Sequence, residues 1–162
     1  MSNYNDAVGI RNNKRIAAVA AIATAIAIPA EGLRQYAYKD PGPAILTVCY
    51  GHTGQDVQAN VKYILEKCKE LLTEDMNEAI NTVERCHPGL PENVLAAFSD
   101  AVFNLGPKVA CNSTASKYLD RGEIEAACRE LPKWDKSRVM GVLVPLPGLT
   151  KRRNAEMALC LA

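Results

Sequence analysis

Between Ile16 and Ala30 no side chain carries a charge: the run IAAVAAIATAIAIPA is bounded by Arg11, Lys14 and Arg15 on one side and by Glu31 on the other. It reads as a helix, because alanine is the best helix former. It is also weakly apolar, because a methyl group adds little transfer energy. A comfortable membrane span wants about 20 strongly apolar residues, and this one is short, half alanine and interrupted by Thr24 and Pro29. Three assignments compete: a cleaved signal peptide, a weak anchor, and a core helix of a cytosolic protein. The cationic flank orients the N-terminus toward the cytoplasm. Small residues at Ala25 and Ala27, or in Ile28-Pro29-Ala30, suit a signal peptidase. Cleavage there would leave Glu31 on a frayed new end, which favours a retained segment. The expected organisation is a cytoplasmic tail over residues 1–15, a marginal spanning segment over 16–30 that refolds as a first helix, and a folded domain over 31–162. Leucine in place of Ala20 and Ala23 is expected to strengthen the anchor.

Downstream, the stretch Tyr38 to Gln58 is rich in Pro, Gly and Thr around a β-prone run, Ile45 to Tyr50, and predicts a small hairpin-like lobe. From Asn60 to Arg85, Val61, Ile64, Leu65, Cys68, Leu71, Leu72, Met76, Ala79, Ile80 and Val83 recur at helical spacing, as one long helix would require. Val94, Leu95, Phe98, Ala101, Val102 and Leu105 make a second apolar face, stopped by Gly106-Pro107. Short helices follow at Thr114 to Leu119, Glu123 to Leu131 and Thr150 to Leu161, punctuated by Gly122, Pro132, Pro145, Pro147 and Gly148. The fold class is α+β, mostly α-helical.

At 162 residues the chain suits one compact domain, or two lobes sharing a helix. Lys and Arg number 19 against 18 Asp and Glu, so no overall field marks a nucleic-acid binder. A local basic excess gathers around Lys133, Lys136, Arg138, Lys151, Arg152 and Arg153. Cys49, Cys68, Cys86, Cys111, Cys128 and Cys160 form an even set without metal-ligand spacing, which points away from zinc and toward disulfides in an oxidising compartment. No metal and no organic cofactor is implied.

Cleaving an acetal bond between sugars needs an acid to protonate the leaving oxygen and a second polar group to stabilise the sugar cation or activate water. Glu31 at the helix end, against apolar Ile28 and Leu33, suits the acid, since an apolar surround favours the protonated carboxyl. Asp40, beside Pro41-Gly42-Pro43, suits the ionised partner, and Thr47 offers a hydroxyl that can hold a water. From spacing alone, a Glu and an Asp this close are common surface residues.

The string Glu31-Gly32 through Tyr38 and Asp40 to Thr47-Val-Cys-Tyr-Gly-His-Thr-Gly54 resembles the phage-type lysozymes of glycoside hydrolase family 24, with their glutamate, aspartate and threonine triad. Ala101-Val-Phe-Asn-Leu-Gly106, Ser113-Thr114, Trp134 and Gly148-Leu-Thr-Lys-Arg-Arg-Asn-Ala-Glu156 extend the resemblance, and the alanine-rich N-terminus is similar to that of the signal-arrest-release endolysins. The resemblance implies a two-lobed fold with a long inter-lobe helix and hydrolysis of peptidoglycan glycan strands. Glu31 would be the general acid, Asp40 would support the sugar cation or water, Thr47 would position the water, and His52, Phe103 and Asn104 would be substrate-side residues. It also suggests disulfides Cys49–Cys68, Cys86–Cys111 and Cys128–Cys160, among the fifteen pairings that six cysteines allow. One departure stands out: Thr47 follows Asp40 by seven positions where the family commonly has six. Further expectations are a monomer and contact with the host inner membrane through residues 16–30. Release to the periplasm is expected to follow. A lytic transglycosylase and a non-catalytic, membrane-tethered wall-binding module are the alternatives.

Overall fold

Helix α1 spans Ser2–Glu31 in the computed structural model, which describes the backbone of residues 2–39 and 45–162 and, within them, the side chains from Arg11 onward. The helix therefore begins well upstream of Ile16. Pro29 falls in its last turn, and Gly32, at φ +70°, ends it, a backbone angle that costs an L side chain energy. One row of the helix, Val19, Ala20, Ala23 and Ala27, is buried, while Ala17, Ala18, Ala21 and Ala25 are exposed. The methyl side chains of the inward row let α1 lie close against α2 (Leu65–Cys86) and α3 (Glu92–Leu105). Among the described residues α1 alone is long and apolar enough to cross a membrane, and only 22% of its apolar window is buried.

Strands β1 (Arg34–Lys39), β2 (Leu46–Cys49) and β3 (His52–Thr53) form an antiparallel sheet in that order, with Tyr38 opposite Thr47 and Val48 opposite His52. The expected small lobe is present and starts earlier than expected, at Arg34. The expected long helix starts later. Residues 60–64 belong to the sheet lobe: Asn60 takes φ +62°, Lys62 bridges Tyr36, and the Tyr63 amide donates to the Gln35 carbonyl at 2.7 Å. From Leu65 the expected face holds, with Cys68, Leu71, Leu72, Met76, Ala79, Ile80 and Val83 all buried.

Helix α3 is buried all round from Val94 to Val102, and it touches α1, α2 and α7 (Pro147–Leu161). Between α3 and α7 come α4 (Lys108–Cys111), α5 (Thr114–Asp120), α6 (Ile124–Glu130), a 3-10 turn over Leu131–Trp134 and a second hairpin, β4 (Lys136–Val139) with β5 (Val142–Pro145). Ser113 caps α5 by accepting from the Ser116 amide. Disulfides join Cys49 to Cys68, Cys86 to Cys111 and Cys128 to Cys160, leaving no free thiol. The first fastens the sheet lobe to α2, the helix that bridges the lobes.

Candidate active site

Glu31 is the last residue of α1, so its carboxyl leaves the helix where α1, β3 and α7 converge. Gly51, in the turn before β3, adopts φ +81°, and a Cβ on it would stand 3.1 Å from Glu31 Oε2. Glycine is therefore required twice over, for its backbone angle and for the room it leaves the carboxyl. Ile28 and Leu33, expected as the apolar wall, are 40% and 42% exposed. The carboxyl meets a cation instead. Arg152 Nη1 donates to Glu31 Oε1 at 2.5 Å, while Arg152 Nε and Nη2 donate to the two oxygens of Asp100, each at 2.9 Å. The Arg152 side chain is only 4% exposed and Asp100 is fully buried.

Burial alone would lower the Arg152 pKa, but Asp100 and Glu31 outweigh it and hold the guanidinium firmly charged. Such a two-sided clamp fixes a planar group in one orientation. Beneath it, Arg153 Nη2 donates to Glu156 Oε1 at 2.5 Å, with both side chains fully buried. Two guanidiniums thus face three carboxyls, Glu31, Asp100 and Glu156. Burial, helped by Asp100 and opposed by the charge of Arg153, raises the Glu156 carboxyl above the usual carboxylate range.

The Glu31 carboxyl opens onto a cleft of about 690 Å³ between the lobes, shared with Tyr38 and Thr47 from the sheet, Asp75, Glu78 and Thr82 from α2, and Phe103 and Asn104 from α3. Thr47 is 3% exposed, and its hydroxyl donates to the Ile45 carbonyl at 3.4 Å. Among the described residues, Asn104 Oδ1 is buried without a hydrogen-bond partner. Phe103 packs on the core with the Arg152 guanidinium 5.9 Å from its ring centre. The cleft therefore brings together Glu31, Thr47, Phe103 and Asn104. His52 is not among its lining residues; its Nδ1 bonds Asp75 Oδ2 at 2.8 Å, and Nε2 faces Asp56. Asp40 and its proline-containing loop lie outside the described residues. Among the described residues no group of His, Cys, Asp or Glu is arranged to hold a metal.

A family model described as phage lysozyme matches residues 29–156, which takes in Glu31, the cleft and the Arg152 clamp. The chain belongs to the phage lysozyme family. It is 33% identical over 135 residues to the SAR-endolysin of bacteriophage PS119, covering 81% of this chain and 76% of that one. Among solved structures, the muramidase domain of SpmX from Asticaccaulis excentricus superposes with a TM-score of 0.77 at 25% identity, over 90% of this chain and 95% of the other. The active form of the P1 phage endolysin Lyz superposes at 0.67 with 28% identity, over 86% and 83%.

Asp100 and Arg152 are the residues joined to Glu31 that sequence reasoning passed over. Arg152 stood within the quoted Gly148 to Glu156 motif, and Asp100 projects from the side of α3 opposite the apolar face of Val94, Phe98 and Leu105, where a polar residue reads as solvent-facing. An acid inside a helix buried on every side needs a cation nearby, and only the C-terminal arginine pair supplied one at a distance in sequence.

Proposed function

We propose that this lysozyme-type hydrolase is an endolysin that cuts the β-1,4 bond between N-acetylmuramic acid and N-acetylglucosamine in peptidoglycan. The carrying observation is the Glu31 carboxyl, held by Arg152 and given room by Gly51 on the wall of an inter-lobe cleft that also holds Thr47 and Asn104. In the mechanism, Glu31 protonates the glycosidic oxygen as the bond to the anomeric carbon breaks. Asp40 supports the sugar cation or takes the proton of the attacking water, and Thr47, whose one hydrogen is spent on the Ile45 carbonyl, accepts a hydrogen bond from that water and so positions it. Arg152 aims the acid and Asn104 bonds the sugar. The enzyme works as a monomer.

Activity is held off by the solvent around α1. While residues 16–30 lie in the host inner membrane, with residues 1–15 cytoplasmic and the rest outside, Glu31 cannot reach Arg152 and the cleft lacks its acid. Leaving the bilayer lets α1 dock on α2 and α3 and completes the site in the periplasm, a two-state switch. The near-bare outer face of α1 and its alanine inner face support this, since the same helix suits lipid and a packed core.

Purified wall digested by the wild type is expected to release reducing muramic ends, and Glu31→Gln to clear none while melting like the parent. Anhydro-muramic ends would mean a transglycosylase. Clearing by the amide variant would remove Glu31 from the mechanism, and binding without clearing by either form would mean a wall-binding module.

A further inference from the structure

The β4–β5 hairpin buries none of its side chains fully, and its apolar residues face solvent: Val139 is 45% exposed, Val142 61%, Leu143 57% and Met140 99%. The turn itself is unusual. Val139 pairs with Val142, so Met140 and Gly141 form a two-residue loop, at φ +49° and +81°. Such left-handed turns take Asn, Asp or Gly at the first position, because an L side chain is strained there. Methionine is held at that angle while burying almost none of its surface, so packing within the fold does not account for it.

The segment that carries the tip bears one sign of charge. From Lys136 to Ala155 there is no acidic residue. Lys136, Arg138 and Lys151 are exposed, and Arg138 Nη1 donates to the Gly141 carbonyl at 3.1 Å, which keeps the guanidinium beside the tip. The nearest preceding acid, Asp135, is half-buried and accepts from the Thr150 hydroxyl at 2.8 Å. An apolar point with a cationic collar complements a bilayer of anionic phospholipid, which offers phosphates above and acyl chains below.

We propose that the β4–β5 hairpin is a membrane-contact finger that seats Met140, Val142 and Leu143 at the acyl boundary of an anionic phospholipid bilayer, with Lys136 and Arg138 on its phosphates. It would keep the enzyme at the membrane surface after α1 has left the lipid. The choice of a bilayer rests on the proposed membrane origin of α1, and separate probes distinguish the two ideas.

Trp134→Phe removes the only tryptophan, after which Met140→Trp or Ala18→Trp reports the finger or α1 separately in the full chain. Wall clearing by each variant verifies folding. With vesicles of phosphatidylcholine containing phosphatidylglycerol, Trp at position 140 should shift to the blue and be quenched by brominated lipid. Lys136→Gln with Arg138→Gln should weaken the apparent affinity roughly tenfold or more. Shielding at 140 while position 18 stays open to aqueous quencher supports the finger, with α1 docked on the fold and out of the lipid. Shielding at 18 with 140 unchanged overturns the finger and leaves α1 as the membrane contact. The finger is equally overturned if 140 responds alike to pure phosphatidylcholine and is indifferent to the charge changes. A blue shift that grows with protein concentration without lipid would assign the tip to a second copy of the chain and overturn it too.

Discussion

Arg152 owes its place to two acids, and only one of them faces the cleft. Asp100 takes both of its remaining donor edges at 2.9 Å, so the guanidinium that aims Glu31 is set from inside the core. Asp100→Asn keeps the shape but loses the charge and one acceptor. Wall-degrading kcat should fall by about tenfold to a hundredfold, the size of effect that small misplacements of a reacting group produce, with KM little altered. Asp100→Ala should in addition destabilise the fold by about 3–5 kcal/mol, because it strands a buried cation. Equal kcat in the parent and the Asn variant would mean that Arg152 needs no setting. His52 carries a separate, pH-dependent load. Burial would lower its pKa, but Asp75 and Asp56 outweigh burial and raise it, while Asp75 is itself raised, chiefly by burial. The stabilisation from these pairs is therefore complete below about pH 6.5, the unfolded histidine value, and is lost as pH rises through the higher folded value. Calorimetric melting midpoints should fall across that window in the parent, and His52→Gln should flatten the fall.

Among the elements, the sheet lobe depends most on a covalent tie. It is small, and Cys49–Cys68 fastens β2 to α2 across 19 residues. Replacing both cysteines by serine should cost about 3 kcal/mol in denaturant unfolding. Amide exchange in β2 should quicken while α3 stays protected, and uniform quickening would show that the lobes do not separate. The same lobe marks the boundary of what the sequence could tell. Helix α3 was legible because its apolar residues recur at helical spacing and Gly106-Pro107 stops it. The start of α2 was misread because Val61 and Ile64 fit that spacing, yet they are 41% and 60% exposed, and the backbone there serves the sheet through Tyr36 and Gln35. The β4–β5 hairpin was missed for a related reason: its apolar residues face solvent in an unbroken run, and Met140-Gly141 is not a usual hairpin turn. Glu31, Thr47, Phe103 and Asn104, singled out through the family resemblance, share the cleft. Asp100 and Arg152 meet only across 52 residues, a pairing that local periodicity does not encode.

For the molecule as a whole, α1 is fastened near its middle, by Arg15 on Glu84 and the Leu90 carbonyl, and at its C-terminal end, by Glu31 on Arg152. Ala20 and Ala23 are 6% and 0% exposed in the docked state, so leucine there would overfill the core as well as favour lipid. Ala21 and Ala25 are exposed and free of that conflict. Ala21→Leu with Ala25→Leu should hold α1 in the membrane longer, by up to a few kcal/mol at about 0.8 kcal/mol per buried methylene, and delay lysis, while the purified, released enzyme clears walls at the parent rate. Ala23→Leu should slow clearing by the released enzyme too, through overpacking that costs about 1–3 kcal/mol. Unchanged lysis timing in the first variant would count against an anchoring role. Under the proposed anchoring, the two rows of this helix answer to different surroundings, so that mutating the outward row alone would retune when the host bursts and leave the potency of the freed enzyme untouched.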